Sequence, residues 1–114
     1  MIQGNPFQGR ASLTSAASAS ATLIAAVSGE RFHLTHGLIT ITTGAATNTA
    51  INFMEVTSGA TSAATFLNIP HATSGALEFN FGDRGWVASA VGSRIVMENT
   101  GDATVNAIFF GYHR

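Results

Sequence analysis

Apolar and polar residues alternate along much of this chain with a period of two, the spacing of a β-strand with one covered face. Leu77, Phe79 and Phe81 point one way, while Glu78 and Asn80 point the other. Ile95 and Met97 oppose Arg94 and Glu98 in the same manner, with Val96 interrupting the outward face. The longest run covers residues 31–43, RFHLTHGLITITT, and is mostly β-branched, aromatic or leucine after its arginine. Phe32 and Leu34 share one parity there, and Ile39 and Ile41 the other. The change of phase near Gly37 predicts a bulge, which lets a long strand re-aim its side chains as it wraps around a core.

Turn-forming clusters at residues 28–30, 43–45, 58–59, 70–75, 82–85, 92–93 and 99–102 divide the chain into short segments. Strands are therefore expected near 21–27, 31–43, 49–57, 63–69, 76–81, 86–91, 94–98 and 103–112. About eight short strands without a sustained helical pattern predict an all-β domain over residues 21–114. The expected architecture is an antiparallel β-sandwich of jelly-roll type.

Two segments are apolar on both faces. Ile51 and Phe53 oppose Met54 and Val56, while Val105, Ala107 and Phe109 oppose Ile108, Phe110 and Tyr112. A strand apolar on both sides is covered on both. Either a second copy of the chain supplies the outer cover, or a bulge shifts the register.

Residues 1–20 are different in kind. MIQGNPFQGR mixes Gly, Asn, Pro and Gln with single apolar residues, and an Ala/Ser-rich run follows. This reads as an N-terminal arm, either a flexible leader or an extended segment that orders on a partner. In the second case Ile2 and Phe7 serve as apolar anchors and Arg10 as a polar clamp.

Charge sharpens the picture. Only 10% of residues are charged, against a usual ~25%. All five cations are arginines, at positions 10, 31, 84, 94 and 114, and the formal net charge is −1. Without a basic field, nucleic acid is not an expected partner. A free monomer ordinarily protects its edges and surface with charge, so a skin this poor in ions points to assembly. There is no cysteine, hence no disulfide and no thiolate metal site. The apolar run at residues 23–27 is far shorter than the ~20 residues of a membrane span. No charged region followed by an apolar stretch marks a secretory signal. A soluble protein not exported by that route is expected.

Candidate chemistry is sparse. His33, His36, His71 and His113 lack metal-ligand spacing, and His33 and His36 have opposite parity. Glu78 and Glu98 lie at outward positions, and Glu55 shares parity with Ile51 and Phe53. Nothing marks a facing carboxylate pair, and nucleophile-elbow and phosphate-loop motifs are absent. No catalytic residue, cofactor or metal is expected, and the chain is not read as an enzyme. Asp83-Arg84-Gly85-Trp86 is the most individual segment, a tight turn delivering the only Trp to the start of a strand. Trp86 is read either as a core or rim residue, or as an exposed interface anchor or sugar-stacking platform. Tyr112 is expected at the rim with a wet hydroxyl.

The run Val27-Ser28-Gly29-Glu30-Arg31-Phe32-His33-Leu34 precedes an apolar strand and a Ser/Thr/Ala-rich meander. Gly85-Trp86, then Gly92, then the aromatic end Phe109, Phe110 and Tyr112 follow in order. This succession resembles small β-sandwich structural proteins of tailed bacteriophages, of the capsid decoration, cement or head-fibre type. The resemblance covers roughly residues 21–113 and carries no functional residues across. It implies a virion structural protein on the capsid surface, assembled in the host cytoplasm, with itself and the major capsid protein as partners. A homo-oligomer is expected, and a trimer suits sites of local three-fold symmetry. Expected contact residues are Ile2, Phe7, Arg10, Trp86, Phe110 and Tyr112. The competing expectation is an adhesin module binding a host-surface glycan, with Trp86, Tyr112 and His71 near its face. A subunit of a tail tube or baseplate is a third.

Overall fold

A computed structural model of the chain describes residues 4–13, 19–43, 50–57, 63–69, 74–101 and 103–114. Nine strands are described: β1 (Asn5–Leu13), β2 (Ala19–Ile24), β3 (Phe32–Thr43), β4 (Ile51–Val56), β5 (Ala63–Ile69), β6 (Gly75–Asn80), β7 (Trp86–Val87), β8 (Arg94–Asn99) and β9 (Ala103–His113). All pairings are antiparallel. One sheet runs β1-β9-β3-β6, with the short β7 also on β3, and the other runs β2-β8-β4-β5. Apart from the β4–β5 hairpin and the β6–β7 step, each strand is followed by one in the opposite sheet. That is the double Greek key of a jelly roll.

The two inner faces meet in one core. β3 contributes Phe32, Leu34, Ile39 and Ile41, and β9 contributes Val105, Ala107 and Phe109. Ile51 and Phe53 of β4 and Ile95 and Met97 of β8 meet them from the other sheet. The Phe53 and Phe109 rings lie 5.3 Å apart across the sandwich. Burying each such ring contributes ~2–3 kcal/mol.

Three local features differ from the expectation. The register of β3 against β9 shifts between Leu34 and His36. One residue is thus absorbed at Thr35, and Phe32, Leu34, Ile39 and Ile41 all face the same core. Gly37 is no bulge: it sits inward beneath the Phe109 ring, where a Cβ would lie only 3.1 Å from the ring carbons. The strand expected at 86–91 pairs over Trp86–Val87 alone, because the residues that follow turn to surround Glu55. Finally, Leu77 is 40% exposed although its parity is that of the half-buried Phe79; it sits at the open margin of edge strand β6.

The expected arm at 1–20 is described in part. Asn5–Leu13 is extended and pairs residue for residue with β9, from Asn5↔His113 to Leu13↔Val105. Its inward positions are Phe7, Gly9, Ala11 and Leu13, and Leu13 is buried. β1 completes the first sheet, and β2, which begins at Ala19, opens the second.

Candidate functional site

The sandwich has two outer faces, and the register fixes what each displays, since directly paired residues in antiparallel strands share a face. On the first sheet, four rows cross from β1 through β9 and β3 to the opposite edge. They read Pro6, Tyr112, His33, Val87; Gln8, Phe110, His36, Asn80; Arg10, Ile108, Leu38, Glu78; and Ser12, Asn106, Thr40, Ala76. The centre is apolar and aromatic. Phe110 is 39% exposed and Leu38 37%, with half-buried Ile108 and Tyr112 beside them. Arg10 and Glu78 stand at opposite ends of one row and are the only formal charges in the four rows, with histidine taken as neutral. Two shallow grooves flank Leu38, one of about 230 Å³ towards Arg10 and Asn106, the other of about 490 Å³ towards Glu78 and Phe110.

Several polar contacts hold this face in shape. The His33 and Tyr112 rings stack at 4.5 Å. The Tyr112 hydroxyl donates to the Arg84 carbonyl at 3.3 Å, and His33 Nδ1 lies 3.4 Å from the same oxygen. The turn that offers that carbonyl depends on Gly85, whose φ of +72° and close approach to the Leu34 backbone exclude any side chain. The Gln8 side-chain amide lies 2.8 Å from Arg10 Nε and 3.0 Å from Nη2, and with its oxygen turned towards them it accepts from both. Ser12 donates to Asn106 Oδ1 at 2.6 Å.

Of the expected contact residues, Arg10, Phe110 and Tyr112 come together here. Phe7 instead points inward, its ring 4.9 Å from that of His113. Trp86 is stacked between Phe66 at 4.2 Å and Phe32 at 5.7 Å, so it is a half-buried rim residue of the core, not an exposed platform. Ile2 and His71 lie outside the described residues. Sequence reasoning placed Ile108 on one face with Phe110 and Tyr112 but missed Leu38 and Glu78 as members of it. The outward parity of Ile108 and Glu78 was legible, but the neighbourhood of β9, β3 and β6 was not.

Two buried ionisable groups lie apart from the face. Glu55 is 5% exposed. Its carboxylate accepts from the Ser89 amide at 3.0 and 3.1 Å, the Ser89 hydroxyl at 2.9 Å, the Ala90 amide at 3.3 Å and the Ser93 hydroxyl at 2.7 Å. Burial pushes its pKa up, but these donors outweigh burial and hold it below the usual carboxylate value. A carboxylate so fully engaged is a clasp for residues 88–93, with little capacity left to move protons. His113 is 7% exposed, and its Nδ1 has no hydrogen-bond partner among the described residues. Burial lowers its pKa, Glu30 opposes that, and His33 adds to it. Among the described residues, no three His, Asp or Glu side chains converge as a metal set.

No protein-family model matches the chain, and no curated protein matches its sequence.

Proposed function

We propose that this chain is a structural protein of a bacteriophage virion that decorates or cements the capsid through contacts with its own copies and with shell subunits. The observation that carries the reading is the outer face of the first sheet, where Leu38, Ile108, Phe110 and Tyr112 are presented to solvent with two charges around them. Exposed apolar surface rimmed by polar groups marks a protein contact, and a jelly roll with so few ions suits a surface meant to be covered. The mechanism is mechanical: buried apolar area supplies a gross term of ~25 cal/mol per Å², association entropy removes much of it, and repetition around a shell adds avidity. A trimer at local three-fold sites is the arrangement proposed on the shell, by analogy with other symmetric assemblies.

Co-sedimentation of the purified chain with capsid shells tests the reading. Retention on shells, lost in Phe110→Asp, is expected; failure to sediment with any shell sinks it. An adhesin is the other outcome, and would show as a specific hit on a glycan array. Its expected platform is weakened because Trp86 packs between two rings of its own chain.

A further inference from the structure

We infer that the outer face of the first sheet binds the same face of a second copy, forming a two-fold dimer with reciprocal Arg10–Glu78 pairs. The argument is the arrangement of the central row, Arg10, Ile108, Leu38, Glu78. Two sheets can pack face to face about a two-fold axis lying in the interface, either across the strands or along them. An axis across the strands leaves each residue at its own edge of the sheet, so both arginines gather at one edge and both glutamates at the other. An axis along the strands, between β9 and β3, reverses the row. Arg10 then meets the partner subunit's Glu78 at one edge, and Glu78 meets the partner subunit's Arg10 at the other.

The same operation matches the remaining rows. Ile108 falls on the partner subunit's Leu38, Phe110 on the partner subunit's His36, Tyr112 on the partner subunit's His33, and Gln8 on the partner subunit's Asn80. Apolar meets apolar, aromatic ring meets imidazole, and amide meets amide. Aligned sheets cross at about −30°, which offsets the row ends by only ~4 Å, within reach of an arginine side chain. At strand spacings of ~4.8 Å and rises of ~3.3 Å per residue, the four rows cover roughly 500 Å² per copy. The pair would bury about 1,000 Å², the lower bound for a specific interface. Neither Arg10 nor Glu78 has an ion-pair partner in its own chain among the described residues, so both are available. The contact rests on the same face as the virion reading but needs no shell: loss of self-association with shell retention kept sinks the dimer alone, and loss of shell retention with the dimer kept sinks the virion reading alone.

Sedimentation equilibrium of the full chain reads the dimer directly. A monomer–dimer equilibrium is expected, weakened by raising salt from 50 to 500 mM, as screening of the paired charges requires. R10E and E78R should each raise the dissociation constant at least tenfold while circular dichroism shows the fold kept. Mixing the two variants in equal amounts should restore the association, because in the mixed dimer the two reversed charges attract at one edge, and the unchanged Glu78 of the R10E copy meets the unchanged Arg10 of the E78R copy at the other. Should a reversal fail to fold, R10Q and E78Q report the same contact through loss of the salt dependence. A wild-type chain monomeric up to about 1 mM overturns the inference. So does a mixture no better associated than its components, or association whose strength ignores salt.

Discussion

The two outer faces of this sandwich belong to different sheets and solve the problem of exposure differently. On the β2-β8-β4-β5 sheet the row Ser20, Glu98, Asn52, Asn68 is polar throughout. Asn52 donates to Glu98 at 3.1 Å and accepts from Asn68, so the amides and the carboxylate of that row satisfy one another within the chain. The β1-β9-β3-β6 sheet places Ile108 and Leu38 at the centre of its corresponding row and separates its two charges to the edges. A face that closes its own hydrogen bonds contributes to folding. A face that leaves apolar groups outward, with two charges that have no ion-pair partner among the described residues, is the one on which the proposed association rests.

The contrast can be broken from beneath. Phe109→Ala removes the ring that touches Phe53 and fills the space over Gly37, and should cost ~3–5 kcal/mol in urea unfolding. Both faces should then lose definition together. Next in size is Glu55→Ala, which takes the acceptor from the Ser89 and Ala90 amides while the Ser93 hydroxyl keeps the Ala90 carbonyl; a loss of about 2–3 kcal/mol is expected.

Acid should act through the same groups. The pKa of Glu55 is lowered in the fold from 4.5 and that of His113 from 6.5. A lowered pKa means that the unfolded chain binds the proton more readily. The stabilisation is present above those ordinary values and is lost as pH falls through the folded-state ones. Thermal midpoints should therefore begin to drop below about pH 6.5 and fall further below about pH 4.5. His113→Phe should remove the first of these decreases, and a profile unchanged by that substitution would count against the assignment.

Smaller effects separate the faces from each other. Asn52→Ala breaks the amide ladder and should cost about 1 kcal/mol. Leu38→Thr, on the other face, should leave the unfolding midpoint within ~0.5 kcal/mol of the parent while weakening self-association measured by sedimentation. If Leu38→Thr destabilised the monomer more than Asn52→Ala did, the division of labour between the faces would be wrong.

Much of the fold was legible because turn residues and period-two alternation are local signals. The segments at 31–43, 63–69, 94–98 and 103–112 all contain strands close to the expected bounds. β1 was not legible as a strand because its inward positions include Gly9 and Ala11, which carry little apolar signal. Their smallness has a cause that lies elsewhere in the chain: a Cβ on Gly9 would collide with the Leu23 carbonyl and the Ile24 side chain. The stretch after Val87 alternates as a strand should, yet Glu55 draws the Ser89 and Ala90 amides to itself. For the candidate face, parity singled out Phe110 and Tyr112, but the Arg10 to Glu78 row depends on pairings between distant parts of the chain. No window of sequence contains it.

The central position of β9 has a kinetic consequence. Its partners are residues 5–13 on one side and 32–43 on the other, so the ladders that define the first sheet close loops spanning most of the polypeptide. Such distant pairings are slow to nucleate, on the scale of milliseconds to seconds for all-β domains. A ribosome-bound chain would hold β1 and β3 apart, each with a bare edge, until β9 emerged to slot between them.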